Sequence, residues 1–343
     1  MDPVTRSAQA EDMVWLALDD QSAAGGARRA TEQLADRLGL PSRRIAEAGL
    51  AVTEIATNVH HHGGGGALLL RSVRTHDTAT LEIVAIDAGA GMDDVARSRR
   101  DGRTTAGTLG IGMGAVDRLA DAVEISSEPG RGTVVLARFA ADRRAATAPA
   151  ALLADGITRA LGGEPVCGDA YAVRVEEGRT TLMLCDGSGH GPLAAAASRE
   201  AVRVFQRIAD PTPESALRQI HAALSGTRGG AVSVAQLDRA GAVVRFAGVG
   251  NVAGAVVGPD GKRSMVSIGG IAGYRTPTVR AFDYPLPPGA VVVLHSDGVR
   301  TRWDGAELGR VLESSPLMIA ATLLRDAGLR QDDACVVVGR VQR

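Results

Sequence analysis

Apolar positions in the first 140 residues follow helical spacing in three stretches and strand-like runs in five others. A helical pattern spans residues 27–38, and Pro41 restarts the chain as a second helix whose apolar face includes Ile45, Val52 and Ile55. A third, short helix is predicted over residues 115–120. The predicted strands of this half are residues 14–18, 67–73, 80–86, 122–126 and 132–139.

The second half shows a different pattern, with many short apolar strands separated by glycine turns. Two helical stretches, residues 192–208 and 214–225, interrupt these strands. Helices set against antiparallel strands predict a layered sandwich, so we predict a two-domain α+β fold. We expect a first domain over residues 1–140, a linker over 141–161 and a second domain over 162–343. The predicted strands are residues 170–175, 182–185, 231–237, 243–248, 252–257, 290–296 and 334–339.

Composition supports two domains and narrows the classes of function. A length of 343 residues is long for a single core, and 38 basic against 39 acidic residues argue against a general nucleic-acid or membrane-surface role. Lys262 is the only lysine and lacks the spacing of a P-loop. The three cysteines show no metal-type spacing, and no signal peptide or apolar run of membrane-spanning length is present. We therefore expect reduced thiols and a soluble, cytoplasmic protein.

Carboxylates stand at four strand boundaries of the second half. Two strands end in an acid and two begin with one, at Asp169, Asp186, Asp297 and the pair Asp332 and Asp333. In an antiparallel sheet the end of one strand lies beside the start of its neighbour, so these acids can gather at one rim. Clustered carboxylates repel one another unless a hard cation lies between them, and oxygen ligands suit Mg²⁺ or Mn²⁺. The pattern predicts a two-metal site.

Three features of the first half point to a ligand site. Glu54 and Asn58 lie four residues apart on one face of the second helix, where an acid and an amide can address one ligand. A solvated surface pair is the alternative interpretation. Asp87 ends a strand at a glycine turn. The glycine-rich run over residues 107–114 leaves backbone N–H groups at the start of the third helix, which is the geometry of an anion site.

In this order the motifs resemble the four boxes of the GHKL, or Bergerat-fold, ATPases over residues 15–139. Residues 54–66 and 112–121 are most similar to the anti-sigma-factor and stressosome-switch serine kinases. The resemblance implies an α/β sandwich that binds ATP. It implies that Asn58 holds the Mg²⁺ or Mn²⁺, that Glu54 orients or deprotonates the attacking hydroxyl, and that Asp87 accepts from the adenine amino group. The other implied ATP contacts are Gly89 and Gly91 in the base pocket, Gly110, Gly112 and Gly114 at the phosphates, and Thr133 behind the adenine.

Histidine kinases share these boxes but carry a phospho-acceptor histidine upstream. Residues 1–59 contain no histidine, so we expect the acceptor to be a hydroxyl on another protein. His60, His61 and His62 are consecutive and point in different directions around the helix end. We interpret them as exposed residues or as partners of the helix dipole rather than as metal ligands.

In the second half, five motifs in order resemble the metal-dependent PPM, or type 2C, serine/threonine phosphatases of the bacterial sporulation and stress-response branch. They are residues 168–169, 186–191, 246–251, 296–298 and 332–333. The resemblance covers roughly residues 163–340 and implies an α-β-β-α sandwich with two Mg²⁺ or Mn²⁺ ions. It implies that Asp186 bridges both ions, that Asp169 and the Gly187 carbonyl hold one, and that Asp297 and Asp332 hold the other. The ions would activate water for in-line attack on phosphorus.

This half departs from the family pattern in several places. Many relatives place a histidine two residues after the bridging aspartate, where Ser188 stands here. His190 is the nearest histidine; it could serve as an acid or pack in the turn, and we favour packing. Asp333 is the alternative to Asp332 as a ligand, because the two alternate faces at the strand start. His295 lies within an apolar strand and is interpreted as a satisfied core residue. No arginine matches the one found in many family active sites.

The two resemblances together predict a bifunctional switch that phosphorylates a partner with its first half and dephosphorylates it with its second. The implied substrates are STAS-domain anti-sigma antagonists or stressosome scaffold proteins, and a sigma factor is a further candidate partner. One alternative is a phosphatase regulated by a first half that only senses ATP or binds a sigma factor. Another is that the two halves share no substrate. The resemblance leaves a homodimer open, whereas nucleic-acid and membrane partners are not expected.

Overall fold

The computed structural model of the chain describes residues 9–74, 78–96, 112–142, 153–162, 164, 166–176, 178–209, 211–274, 278–329 and 331–341. The chain divides into two compact units, Ala8–Pro149 and Ala150–Arg343. Each unit combines helices with antiparallel strands. This architecture confirms the predicted two-domain α+β fold class.

Among its described residues, the first unit contains one sheet and three helices. The strands are β1 (Gln9–Ala17), β2 (Gly66–Arg74), β3 (Ala79–Asp87), β4 (Ala122–Glu128) and β5 (Gly132–Ala140). The helices are α1 (Ala23–Arg37), α2 (Ser42–Gly63) and α3 (Met113–Leu119). The strands pair antiparallel in the order β1-β2-β3-β5-β4. Strand β1, which includes most of the strand predicted over residues 14–18, lies at one edge of this sheet.

The apolar stripe of α2 packs onto this sheet. Val52 and Ile55 are fully or almost fully buried and share one core cluster with apolar residues of β2, β3 and β5. The helix ends where Gly64 adopts a left-handed backbone conformation with φ of 65°, which glycine tolerates at least cost. Packing of the stripe thus holds the helix that carries Glu54 and Asn58 against the sheet.

The second unit contains ten strands and four helices among the residues described for it. The strands are β6 (Ala154–Arg159), β7 (Asp169–Glu176), β8 (Arg179–Gly187), β9 (Gly230–Asp238), β10 (Val243–Val249), β11 (Ala253–Gly258), β12 (Gly261–Met265), β13 (Phe282–Pro285), β14 (Val291–His295) and β15 (Ala334–Gly339). The helices are α4 (Gly191–Arg207), α5 (Pro213–Leu224), α6 (Gly305–Gly309) and α7 (Pro316–Ala327).

These strands form two antiparallel sheets that pack face to face. Their strand orders are β13-β10-β9-β8-β7 and β12-β11-β14-β15-β6. Side chains alternate along β8, so Leu182 and Leu184 meet the other sheet, whereas Met183 and Cys185 pack with α4 and α5. On the opposite side α7 packs against β15 and β6. The layers are therefore helix, sheet, sheet and helix.

Strand β6 corrects part of the linker prediction. The range predicted as a linker, residues 141–161, contains the six residues of β6. They pair in register with β15, from Ala334 opposite Arg159 to Gly339 opposite Ala154. Backbone hydrogen bonds of an edge strand require no strong apolar pattern, and Asp155 and Thr158 interrupt the run. The remaining domain boundaries stay a prediction.

Two further expectations concern the cysteines and membrane association. Cys167, Cys185 and Cys335 are free thiols, and the last two are buried, as predicted. Among the described helices, none has both the length and the apolar character needed to cross a lipid bilayer.

Candidate functional site

In the first unit, the carboxylate of Asp87 joins the end of β3 to the start of β5. Asp87 is buried, and its Oδ1 accepts the backbone N–H of Gly89 at 2.9 Å and that of Thr133 at 3.1 Å. Three of the residues predicted to surround an adenine ring therefore lie together. The two amide donors also fix the orientation of the carboxylate.

Glycines surround Asp87 because the backbone segments there approach very closely. A Cβ on Gly89 would lie 2.5 Å from the Cα of Gly63, and a Cβ on Gly63 would lie 2.6 Å from the Cβ of Asp87. Gly91 has a φ of 70°, and a Cβ there would lie 1.9 Å from the carbonyl oxygen of Glu128. Only glycine fits such approaches. Gly89 and Gly91 thus lie where backbone segments approach most closely, and their role in shaping a base pocket stays a prediction.

A serine that sequence reasoning missed completes this hydrogen-bonded group. The Oγ of Ser127 lies 2.8 Å from Oγ1 of Thr133 and accepts the backbone N–H of Met92 at 2.9 Å. Ser127 sits at the end of β4, just before the turn that joins β4 to β5. Its position beside that turn is the only sequence signal that could have singled it out.

Helix α2 brings the two other predicted residues toward the same end of the sheet. Glu54 and Asn58 are both half-buried on α2, which runs into Gly63 beside Asp87. Asn58 precedes Gly63 by about 7.5 Å of helix rise. The three histidines close the last turn of α2, with His61 and His62 exposed, in agreement with the interpretation of them as surface residues near the helix C-terminus.

The predicted phosphate glycines lie at the start of α3, which packs against α2. Gly112 precedes the helix with a φ of 67°, and Gly114 is buried in its first turn. Gly110 lies outside the described residues. Among the described residues, those predicted to contact ATP therefore lie on α2, at the start of α3, at the end of β3 and at the start of β5.

In the second unit, the predicted metal ligands come from both sheets. Asp169 and Asp186 are directly opposite each other on β7 and β8. Asp297 follows β14, and Asp332 precedes β15 in the other sheet. The expectation that all four acids share the rim of one sheet is therefore wrong. The group forms between the ends of two facing sheets, because the sandwich brings those ends together.

The carboxyl groups in this cluster interact strongly with one another. Burial, followed by the charges of Asp169 and Asp297, raises the pKa of Asp186 well above its ordinary value of 3.8. The proximity of the Asp297 side chain contributes to this rise. Burial likewise raises the pKa of Asp169, although a hydrogen bond from Ser296 acts in the opposite direction. Partial burial and the charge of Asp297 raise the pKa of Asp332.

These features fit a cation site made of hard oxygen ligands. Oδ2 of Asp169 is buried with no hydrogen-bond partner among the described residues, and a cation would satisfy it. A cation would also reduce the repulsion within the cluster. In the arrangement described, no three His, Cys, Asp or Glu side chains already enclose an ion position.

Asp332 and Asp333 have separate roles in this geometry. Asp333 is buried, and its two oxygens accept the backbone N–H groups of Leu161 at 2.7 Å and Gly168 at 3.0 Å. It therefore ties the start of β15 to the segment before β7. The Oδ1 of Asp332 accepts the N–H of Asp333 at 2.9 Å, and its pKa responds to Asp297. This division favours Asp332 as the ligand.

The turn after Asp186 is held by close backbone packing. Gly187 donates its N–H to the carbonyl of Gly168 at 3.2 Å, and a Cβ on Gly187 would lie 2.3 Å from the carbonyl oxygen of Ala194. Ser188 donates its N–H to the carbonyl of Gly229 at 3.0 Å. These contacts position the carbonyl of Gly187, the predicted backbone ligand, next to Asp186. The side-chain amide of Asn251 donates to Oδ2 of Asp297 and orients that carboxylate.

The two histidines near the cluster differ in burial. The His190 side chain is 60% exposed, with Nδ1 2.8 Å from Oε1 of Glu164, so it does not pack in the turn as we favoured. It precedes α4, and the helix start directs it outward. His295 is buried; its Nδ1 lies 2.9 Å from the carbonyl of Ser296 and its Nε2 accepts the indole N–H of Trp303 at 3.2 Å. Burial lowers the pKa of His295 to about 4, which confirms a neutral, satisfied core residue.

Comparison with known proteins places both units in families. Residues 17–139 match the histidine kinase-like ATPase domain, and residues 176–342 match the family of stage II sporulation protein E, SpoIIE. The serine/threonine-protein kinase RsbT of Bacillus subtilis (strain 168) is 32% identical over 111 residues, which are 32% of this chain and 84% of RsbT. The chain therefore contains a histidine kinase-like ATPase domain followed by a SpoIIE-type domain.

Relatives of the SpoIIE-family unit include a phosphatase and a stressosome structure. The phosphoserine phosphatase RsbX of Bacillus subtilis (strain 168) is 21% identical over 182 residues, or 52% of this chain and 89% of RsbX. A solved structure from work on the bacterial stressosome as a modular system for secondary messenger signalling is 30% identical, with a TM-score of 0.50. It covers 55% of this chain and 98% of that chain.

These matches confirm the predicted order of a kinase-like ATPase domain followed by a type 2C phosphatase domain. Glu54, Asn58 and Asp87 fall within the ATPase match, and Asp186 and Asp297 fall within the SpoIIE match. The start of the SpoIIE match leaves Asp169 outside the matched range. The roles of these individual residues remain predictions.

Proposed function

We propose that this chain is a partner-switching regulator that removes phosphate from a phosphoserine or phosphothreonine protein and uses ATP to restore it. The acid cluster of the second unit carries the proposal. Its side chains come from separate strand ends, their pKa values are raised by one another, and one buried oxygen lacks a partner. A structural role does not require such repulsion, whereas a site for divalent cations does.

In the phosphatase domain, this chain supplies the ligands and holds them in place. Asp186, Asp169 and the carbonyl of Gly187 would hold one Mg²⁺ or Mn²⁺ ion, and Asp186, Asp297 and Asp332 would hold a second. When bound, such ions polarise the phosphoryl oxygens and activate water, so no protein nucleophile is needed.

Several residues around the ligands set their orientation. Asn251 orients Asp297 through the amide hydrogen bond, and Ser296 donates to Asp169. Asp333 anchors the backbone that carries Asp332. These contacts explain how carboxylates from two sheets can be held near one another before an ion binds.

In the kinase-like domain, we propose that Glu54 accepts the proton of an attacking serine or threonine hydroxyl. Asn58 would hold the Mg²⁺ of ATP one turn further along α2. Asp87, held by the amides of Gly89 and Thr133, would accept from the adenine amino group. Gly112 and Gly114 would contribute backbone N–H groups to the phosphates, as would Gly110.

The relatives support the choice of partner. RsbT is named a serine/threonine-protein kinase and RsbX a phosphoserine phosphatase, and one similar structure comes from a stressosome study. We propose that one STAS-domain protein, an anti-sigma antagonist or a stressosome scaffold, is the substrate of both domains in the cytoplasm. Joining the two enzymes in one chain would then set the phosphorylation level of a single partner.

The test uses the full-length chain with Mn²⁺, radiolabelled ATP and purified candidate STAS-domain proteins from the same cell. We expect wild-type protein to give transient labelling and the Asp186→Asn variant to give stable labelling. Absence of labelling with both proteins, combined with measurable ATP binding and phosphatase activity, would favour the alternative in which the first domain only senses ATP. Full phosphatase activity in Asp186→Asn would refute the assignment of the metal site.

A further inference from the structure

Arg228 lies beside the turn that carries the predicted metal ligands, although no motif pointed to it. Strand β9 begins two residues later, and its first residue, Gly230, is the register partner of Gly187. The hydrogen bond from Ser188 to the carbonyl of Gly229 joins the turn to the segment that carries Arg228. Nη1 of Arg228 lies 3.1 Å from the position that a Cβ on Gly189 would occupy.

The Arg228 side chain is exposed, and the structure gives it no hydrogen bond or ion pair within the described part of the chain. Arg245 of the same unit, by contrast, donates to both oxygens of Glu214 and also contacts Asp283. A free guanidinium at the edge of a carboxylate cluster does not neutralise that cluster through direct pairing. It is instead available to an anion that approaches from solvent.

Two apolar side chains lie next to Gly229, the residue that follows Arg228. A Cβ on Gly229 would lie 3.0 Å from Cγ2 of Ile271 and 3.0 Å from Cδ2 of Tyr274. These side chains are nevertheless 45% and 69% exposed. Their segment is anchored by paired hydrogen bonds between Gly230 and Ala272, at 3.1 and 2.9 Å. The backbone is thus fixed while the apolar groups face solvent, which is typical of a contact surface.

We propose that Arg228, Ile271 and Tyr274, here called the Arg228 surface, bind the phosphorylated segment of a protein substrate at the phosphatase site. The guanidinium would contact the phosphoryl oxygens, and the two apolar side chains would contact residues next to the phosphoserine or phosphothreonine. This inference rests on the phosphatase function proposed above.

Charge and shape both favour a phosphoprotein as the occupant. Cations held by Asp169, Asp186, Asp297 and Asp332 would offset the charge of these carboxylates, and a guanidinium at the margin would add a further positive group for the phosphoryl oxygens. A small phosphate ester has no group that could reach exposed apolar side chains. A protein segment does, and burying an exposed aromatic and an aliphatic side chain favours its binding.

The test compares two substrates, p-nitrophenyl phosphate and a synthetic phosphoserine peptide, with the full-length chain and Mn²⁺. We expect Arg228→Ala to raise KM for both substrates about tenfold, with kcat within about threefold of wild type. Arg228→Lys should recover part of this loss. Tyr274→Ala should raise KM about fivefold for the peptide alone. Arg218→Ala removes another exposed arginine from the same unit and should leave KM unchanged for both substrates.

A binding measurement separates recognition from catalysis. In the Asp186→Asn background, adding Arg228→Ala should weaken binding of the labelled phosphoserine peptide about tenfold and leave binding of the unphosphorylated peptide unchanged. Melting temperatures report whether each variant is folded. Equal KM and equal peptide affinity for the Arg228→Ala and Arg218→Ala proteins would overturn the role of Arg228. Equal effects of Tyr274→Ala on both substrates would overturn the apolar part of the surface.

The outcomes also distinguish this inference from the proposed function. If wild-type protein hydrolyses neither substrate, the proposed phosphatase function fails, whatever the binding result. If it hydrolyses both and Arg228→Ala behaves as wild type, the function stands and the Arg228 surface is wrong.

Discussion

Asp87 in the first unit and Asp186 in the second both end a strand at a glycine-rich turn, yet their surroundings differ. Asp87 accepts hydrogen bonds from two backbone N–H groups, and the glycines around it allow uncharged backbone segments to pack close to its side chain. Burial and the neighbouring charges of Asp169 and Asp297 raise the pKa of Asp186. The chain itself supplies hydrogen-bond donors to the first carboxylate, whereas the second site leaves the buried Oδ2 of Asp169 without a hydrogen-bond partner among the described residues.

This comparison shows how one local pattern can serve two kinds of chemistry. A strand that stops at an aspartate and a glycine places a carboxylate at a sheet end in either case. Hydrogen bonds from amides make that carboxylate a fixed acceptor for a neutral group such as an adenine amine. A second sheet that presents more carboxylates turns the same feature into a cation site. The predictions below test this difference.

The largest effect is expected for Asp186→Asn. Phosphatase activity should fall roughly a thousandfold because the bridging ligand is lost. Near neutral pH the melting temperature without metal should stay constant, because the raised pKa already keeps Asp186 protonated, and at higher pH it should rise because asparagine cannot ionise. Hydrolysis of p-nitrophenyl phosphate and thermal unfolding with and without Mn²⁺ would measure both. Asp260→Asn, at an exposed turn residue, is the matched control and should change neither the phosphatase activity nor the melting temperature.

Glu54→Gln should lower phosphate transfer to the protein substrate roughly a hundredfold, because the amide cannot accept the hydroxyl proton. ATP affinity should stay within about threefold, since Glu54 is not among the predicted adenine or phosphate contacts. Single-turnover labelling and fluorescent-nucleotide binding would separate the two quantities. Asp36→Asn, on the exposed side of α1, serves as the control. Unchanged transfer in Glu54→Gln would remove Glu54 from the kinase mechanism.

Gly89→Ala tests whether the nucleotide site depends on backbone approach. The added methyl group would lie 2.5 Å from the Cα of Gly63, so the free energy of unfolding should fall by about 1–3 kcal/mol, and ATP binding should weaken. A Cβ on Gly26 meets no atom within 4 Å, so Gly26→Ala should leave stability unchanged or raise it by up to about 1 kcal/mol. Urea unfolding measures the free energy of unfolding of both variants. Similar values for the two variants would contradict the packing described around Asp87.

The smallest effect concerns pH. Folding raises the pKa of Asp169 and Asp186, so their protonated forms favour the folded state. That contribution is complete below the ordinary value of 3.8 and is lost as pH rises toward the raised pKa values. The metal-free phosphatase domain should therefore lose stability from about pH 5 to about pH 8.

Mn²⁺ should oppose this loss, because it binds the deprotonated carboxylates and releases their protons. The rise in melting temperature on adding Mn²⁺ should be larger at about pH 8 than at about pH 5. In Asp186→Asn, the Mn²⁺-induced rise in melting temperature should differ less between the two pH values. An Mn²⁺-induced rise that is independent of pH would indicate that the carboxyl groups are already ionised in the metal-free protein.

Most of the elements around both sites could be predicted from the sequence. The apolar stripe of α2 and the alternation along β8 each follow from local spacing, and the glycine turns after Asp87 and Asp186 mark where strands end. Strand β6 and helix α7 were not predicted. Strand β6 is short and broken by polar residues, and α7 is buried on all sides and lacks the amphipathic spacing that identifies a surface helix.

The amino-acid sequence by itself determined the two units, the strand ends that carry acids and the glycines that permit close turns, because spacing and backbone preference act locally. Only the tertiary structure decided that the acid cluster lies between two sheets and that Arg228 lies beside the turn after Asp186. It also decided that Asp333 accepts hydrogen bonds from backbone amides, whereas the charge of Asp297 raises the pKa of Asp332. These facts depend on which distant segments meet. Burial and the neighbouring charges, which set the pKa of each carboxyl group, exist only after the sheets have packed.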